Sequence, residues 1–246
     1  DLEARLLATL GDREPGLFGS ASPTFDGAFR QSLALLGLAA SGRSTADFAA
    51  AIDWLVEQQC PSGAWQAYRA DTSAPCGTSF SGPDSNSTGL AAQALVALGA
   101  TPAVDPSGWL ADNRNSDGGY GYVPGSPSDA NSTALGLQAL AALGDPTAGT
   151  LAALLGFQLG CDAAEADRGA FAYQPGEGGT LEANTLATLQ AEVERIEVEI
   201  AAAGRGEKAA LKTQLATPKA KFDVARKKLT VFTISAVYAS VAGSYL

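Results

Sequence analysis

Leu and Ala recur along this chain in stretches with almost no charge on any face. Each stretch opens on a short polar side chain. One runs Asp84-Ser85-Asn86-Ser87-Thr88-Gly89-Leu90-Ala91 and on to Gly99; another runs Asp129-Ala130-Asn131-Ser132-Thr133-Ala134-Leu135-Gly136 and on to Gly144. A shorter echo begins Glu182-Ala183-Asn184-Thr185-Leu186, and a looser one begins Phe29-Arg30-Gln31-Ser32-Leu33. A capping residue followed by strong helix formers predicts a helix in each case. Gly99 and Gly144 are placed to take the left-handed conformation that ends one. A helix that is apolar all round is buried on every side, so these are expected to be inner helices. Thr45 to Gln59, Pro106 to Arg114 and Pro146 to Leu159 are more amphipathic and suit an outer layer. Asn86 and Asn131 lie 45 residues apart, and Asn184 follows 53 residues later, so the chain reads as a repeat architecture.

A second mark repeats after the outer segments. It reads Gln59-Cys60-Pro61-Ser62-Gly63-Ala64-Trp65, then Arg114-Asn115-Ser116-Asp117-Gly118-Gly119-Tyr120, then Arg168-Gly169-Ala170-Phe171. Gly16-Leu17-Phe18 is a further Gly-x-aromatic turn, after an expected outer-helix tail at residues 2–10 whose inner partner is absent. Gln59 to Trp65 fits Gln-x-x-x-Gly-x-Trp, and over roughly residues 15–191 the chain resembles the prenyltransferase/squalene-cyclase (terpene cyclase-like) repeat family, in the style of its secreted actinobacterial branch. The second turn departs from that pattern at Arg114 and Tyr120. The resemblance implies an all-α fold: an α/α toroid of inner helices around a cavity, with outer helices around them. Three loops would then gather at one end, and the pairs Trp65/Tyr68, Tyr120/Tyr122 and Phe171/Tyr173 would recur around that rim. There they would either touch a ligand or wedge neighbouring repeats together.

Charge and cysteine content narrow the function. The formal net charge is −10 and the chain has no His. Binding of nucleic acid through a basic patch is therefore not expected, and the commonest general base and zinc ligand is missing. The chain starts at Asp1, which is read as a signal peptide already removed and an extracellular or cell-surface location. Cys60 and Cys76 stand at the ends of a polar loop, where a disulfide would be worth about 3 kcal/mol through chain entropy. Cys161 could take either partner instead, and three buried thiols would serve as well.

The chemistries that the resemblance offers lack their residues. There is no Asp-x-Asp-Asp motif to hold a strong acid. There is no His for a zinc site, and Gly160-Cys161-Asp162-Ala163 leaves the thioester motif after two residues. No catalytic residue, metal or cofactor is assigned. Asp84, Asn86, Asp129, Asn131 and Asn184 recur at inner-helix starts, where they either cap the helix or line a polar patch at the cavity mouth. Asn86-Ser87-Thr88 and Asn131-Ser132-Thr133 also fit the glycosylation pattern by chance.

Composition breaks near residue 191. Residues 1–190 hold seven Arg and no Lys, whereas 191–230 hold six Lys and three Arg. Leu186, Leu189, Val193, Ile196 and Ile200 are spaced as a heptad seam, and Thr217-Pro218 reads as a cap and a helix restart. The expected organisation is a repeat domain over 1–190 and a C-terminal helical hairpin with an apolar last helix over 191–246, either further repeat helices or a graft of different origin. The uncharged run 229–246 reaches the lower length for a membrane span. Its Ser, Thr, Tyr and Gly make a buried or partner-facing helix the better fit.

The functional expectation is a non-catalytic exported repeat protein that binds a small hydrophobic ligand or a protein partner at the rim or cavity; the family resemblance implies this, since cobalamin carriers use the same fold. The alternatives are a diverged isoprenoid-processing enzyme and an assembly protein that docks through 191–246.

Overall fold

The computed structural model describes residues 2–19, 27–77, 82–188 and 191. The expected hairpin, its heptad seam beyond Leu186 and the run 229–246 lie outside the described residues. Two compact units divide the chain, Asp1–Gly156 and Phe157–Leu246. Regular structure among the described residues is helical, with isolated β-bridges and no strand.

The first unit contains α1 (Leu2–Leu7), α2 (Ala28–Ser41), α3 (Ala49–Glu57), α4 (Ser85–Ala97), α5 (Ser107–Asp112), α6 (Ala130–Leu143) and α7 (Ala148–Leu155). A 3₁₀ turn over Thr45–Phe48 leads into α3. The three long, nearly uncharged helices sit side by side: α4 packs against α2 on one flank and α6 on the other. The shorter amphipathic helices pack behind them, α3 on α2 and both α5 and α7 on α6. Within this unit the long, nearly uncharged helices therefore form one row and the shorter helices a second set packed against it.

Composition explains the closeness of α4 and α6. A Cβ on Gly89 would come 3.0 Å from the Leu135 carbonyl oxygen, so any larger residue would have to push the two helices apart by a few tenths of an ångström. Gly89 and Leu135 lie five and six residues past their caps, as expected for helices running parallel and nearly in register.

The cores form around the turn aromatics. Trp65 is buried with Leu35 and Leu38 of α2, Leu55 of α3 and Leu95 of α4. Tyr120 is buried with Ala92 of α4, Leu110 of α5 and Leu140 of α6. Each aromatic thus shares a buried core with residues of two successive long helices and one shorter helix. Burying a ring of this size contributes about 2 kcal/mol or more.

In the second unit, Gln158 and Phe171 form a bridge, and the chain closes through Leu159 N–H to Ala170 O at 2.8 Å and Ala172 N–H to Phe157 O at 2.9 Å. A helix starts at 185–188. Phe171 is completely buried.

Candidate functional site

The recurring residues are joined by one hydrogen-bond pattern, written three times. Trp65 N–H donates to Thr88 Oγ1 (3.0 Å), Tyr120 N–H to Thr133 Oγ1 (3.0 Å) and Phe171 N–H to Thr188 Oγ1 (2.8 Å). The carbonyls of the same aromatics accept N–H groups from Asp84, Asp129 and Asn184. Those three residues in turn cap the inner helices. Oδ1 accepts from Ser87 N–H at 2.7 Å, from Ser132 N–H at 2.7 Å and from Ala187 N–H at 2.9 Å. Each turn is thereby locked to the helix that follows it. In the first repeat Gln31 stands in for the Thr, with its Oε1 accepting from Phe18 N–H at 3.0 Å.

This pattern corrects the sequence register. Asn184 is the equivalent of Asp84 and Asp129, since it caps, and not of Asn86 and Asn131, which follow their caps by two residues. The Thr four residues past each cap was not singled out from the sequence, although its recurrence at 88, 133 and 188 is visible there.

The turn glycines are conformational necessities. Gly16, Gly63, Gly118 and Gly169 have φ of +82°, +90°, +89° and +80°. A side chain is disfavoured there. A Cβ on Gly16, Gly63 or Gly118 would also fall within 3 Å of the carbonyl oxygen of Ala50, Asp105 or Gly149, so these turns dock on the next outer segment.

The aromatic tips are spent as well. Trp65 Nε1–H donates to Leu55 O at 2.7 Å, and Tyr120 Oη–H donates to Leu110 O at 3.1 Å, in both cases ten residues back. This explains how Tyr replaces Trp in the second turn: both carry a donor to the same outer-helix position. Burial pushes the Tyr120 hydroxyl up to about 12. Trp65, Tyr120 and Phe171 are completely buried and present no face to a rim. Their partners in the expected pairs differ. Tyr122 and Tyr68 are half-buried, and Tyr173 is 42% exposed.

Tyr68 belongs to a cluster that the sequence did not reveal. Its hydroxyl donates to Glu14 Oε2 at 2.7 Å, and Glu14 Oε1 accepts from Trp54 Nε1–H. The Trp54 and Tyr68 rings stack 6.3 Å apart, and Arg13 lies 4.5 Å over the Tyr68 ring. The bond to Glu14, then burial, raises the Tyr68 pKa. The cluster pins the segment around Glu14 to α3 and to the loop after Trp65.

That loop is held by two further devices. Cys60 and Cys76 form a disulfide, and Cys161 is a free, exposed thiol. Arg69 is buried, donating to the carbonyls of Gln59 (2.8 Å), Thr72 (2.7 Å) and Ala74 (2.6 Å). Gln58 brackets the Arg69 backbone, taking its N–H at 2.7 Å and donating to its carbonyl at 3.3 Å.

Asp84 and Asp129 are each 1% exposed. Burial outweighs the cap bonds and pushes the Asp84 carboxyl up to about 6; Asp129 moves in the same direction for the same reason. Burial, and after it the nearby Asp84 charge, raises the Tyr122 pKa. Ser85 N–H also donates to Tyr122 O at 2.9 Å, tying the second loop to the start of α4.

Asn86 and Asn131 are half-buried. Asn86 Oδ1 is shielded and makes no hydrogen bond. Ser132 Oγ is committed to Asp129 Oδ2 at 2.7 Å, and the Thr88 and Thr133 hydroxyls to the turns. The two glycosylation patterns are therefore folded into the repeat junctions. Among the described residues no cluster of His, Cys, Asp and Glu could hold a metal, and no helix is long and apolar enough to cross a membrane. No family model matches the chain, and no curated protein matches its sequence.

Proposed function

We propose that this is a non-catalytic, exported helical repeat protein that binds a ligand or a protein partner on its inner-helix side. Its repeats would close into part of an α/α toroid of the terpene cyclase-like kind. One observation carries the reading. The recurrent aromatics, cap carboxylates and threonines are consumed in joining repeats, while the part-exposed polar side chains of α4 and α6 are all neutral amides. Amides donate and accept hydrogen bonds at once but do not transfer protons near neutral pH. They suit recognition rather than acid–base chemistry. The disulfide supports export, since such bonds persist in oxidising compartments.

The raised Asp84 carboxyl beside Tyr122 favours a second reading, a diverged enzyme with a buried acid. It ranks lower because Asp84 already accepts the Ser87 N–H and is sealed from solvent. Native mass spectrometry of the full chain beside a form cut after Ala191 tests the binding reading. A small molecule or partner retained by both forms is the expected result. An empty chain that is oligomeric only when full-length would shift the function to residues 191–246.

A further inference from the structure

Each of the three long helices holds one interior glycine: Gly37 in α2, Gly89 in α4 and Gly136 in α6. A Cβ on Gly89 would meet the Leu135 carbonyl oxygen at 3.0 Å, and one on Gly136 would run into the Tyr120 ring. A Cβ on Gly37 would meet nothing within 4 Å, and Gly37 is exposed. Glycine weakens a helix interior, and at Gly37 no close neighbour offsets that cost.

Gly37 lies in an apolar strip. Phe29, Leu33, Leu36, Gly37 and Ala40 stand within an arc of about 100° on α2. Phe29 is 38% exposed, Gly37 and Ala40 are exposed, and Leu33 and Leu36 are half-buried. Counted from the caps Gly27, Asp84 and Asp129, the equivalents of the first four are Asn86, Leu90, Gln93 and Ala94 in α4, and Asn131, Leu135, Gln138 and Ala139 in α6. In those helices the leucines and alanines are buried. Ala94 clusters with Leu35 and Leu38 of α2, Ala139 clusters with Ala92 of α4, and Leu135 lies on Gly89. The part-exposed positions there carry amides. On α2, which packs on α4 and α3, the same positions carry Phe29 and Leu36, so its other flank is apolar throughout.

We infer that this strip is the contact surface for a second copy of the chain, with the two α2 helices antiparallel about a two-fold axis. A two-fold interface must mate a patch with itself. This strip does so, because Phe29, Leu33 and Leu36 fill its first half and the small Gly37 and Ala40 its second. Pairing centred on Leu35 sets Leu33 of each copy over Gly37 of the other, and Phe29 against Ala40 and Ser41. Leucine over glycine is the contact that α6 already makes with α4 through Leu135 and Gly89, so the dimer extends the existing row of helices. A helix of 14 residues is about 21 Å long, which suits a weak, reversible dimer rather than an obligate one. The net charge of −10 opposes association, so added salt should tighten it. A flexible apolar ligand fits less well, since the gap at Gly37 is matched by a side chain one turn away on the same strip.

Sedimentation of the full chain tests this at concentrations up to about 0.5 mM, where a contact of this size is populated. A reversible dimer that tightens with salt is expected. Gly37→Gln places a side chain where nothing is met within the chain, so the monomer should fold and melt at least as high as the parent. It should nevertheless dimerise about tenfold more weakly, because the two-fold axis repeats each clash. Phe29→Gln should weaken the dimer in the same sense. A chain that stays monomeric at every concentration would overturn the pairing. A dimer that neither folded variant weakens would place the contact elsewhere and overturn it too. A monomer with a copurified apolar molecule, seen by native mass spectrometry and released by Phe29→Gln, would give the strip to a ligand instead. The pairing stands apart from the binding reading above, which its failure leaves in place.

Discussion

Between Trp65 and Asp84 the chain runs 19 residues, and between Tyr120 and Asp129 it runs nine. Both connections carry the chain from a Gly-x-aromatic turn to the cap of an inner helix, and both end in the same bonds. The short one is held by a small polar network. Asn115 Nδ2 donates to Ser126 O and Ser128 Oγ, and Ser128 Oγ–H and Gly119 N–H both donate to Asp117 Oδ1. The long one uses a disulfide and a buried arginine whose charge is met by backbone carbonyls. Nine residues suffice for the junction. The extra length reaches back to the preceding repeat through Tyr68, and it needs its own fastening because a longer loop costs more entropy to fix.

The junction should fail before the fastenings do. Trp65→Ala and Tyr120→Ala each empty a completely buried site between two inner helices and are expected to cost about 3–5 kcal/mol. Chemical denaturation followed by circular dichroism would measure it. Tyr120→Phe keeps the ring but leaves the Leu110 carbonyl without its donor, at about 1–2 kcal/mol. Equal losses for Tyr120→Ala and Tyr120→Phe would mean that the hydroxyl, not the ring, holds the second repeat.

The fastenings come next. Cys60→Ser with Cys76→Ser removes a bridge across a sequence separation of 16 and should cost about 3 kcal/mol. Reducing agent should reproduce that loss in the native chain and leave the double variant unchanged. Faster proteolysis should appear between residues 66 and 77, with none between 121 and 128. Cleavage spread over both connections would show that the disulfide supports the whole unit rather than its own loop.

Acid distinguishes the caps from ordinary surface carboxylates. The folded chain binds the Asp84 proton more tightly than the unfolded chain does, since the carboxyl moves from 3.8 to about 6. The stability tied to this proton is full below about pH 4 and is lost as pH rises to about 6. The loss is at most about 3 kcal/mol. Asp129 acts in the same sense. Asp84→Asn keeps a good cap and removes the charge, so it should flatten the dependence of the melting temperature on pH between 4 and 6. An unchanged slope would assign that dependence to other groups.

The layered helices were legible in the sequence because periodicity and capping are local. Asp84 and Asp129 each cap the helix that follows them at once, and uncharged Leu/Ala runs have to be enclosed. The wedge role of Trp65, Tyr120 and Phe171 was readable as one of two alternatives. Their complete burial depends on which helices meet around them, and a single repeat does not contain that fact. Glu14 is further from the pattern still. Its carboxylate joins Trp54 and Tyr68 across 40 and 54 residues, and no spacing rule reaches that far. The register of Asn184 was misplaced for another reason. Sequence alignment followed the Asn itself, whereas hydrogen bonding follows the position, where Asp and Asn cap equally well.

A pair of single-hydroxyl deletions tests whether the junction is one device used repeatedly. Thr88→Val and Thr133→Val each keep shape and burial while removing a hydroxyl that accepts from the turn aromatic's N–H and donates to its carbonyl. The carbonyl retains the N–H of Asp84 or Asp129, so only the aromatic's own N–H is stranded. One buried unsatisfied donor costs about 1–3 kcal/mol, and the two variants should fall at the same value despite the different loops above them. If Thr133→Val cost clearly more than Thr88→Val, the short connection would depend on its threonine where the long one is carried by its disulfide and Arg69. The two connections would then be different solutions to closure. If the costs agree within about 0.5 kcal/mol, within the usual scatter for independent sites, the junction is the invariant part. The loops are then free to vary in length above it.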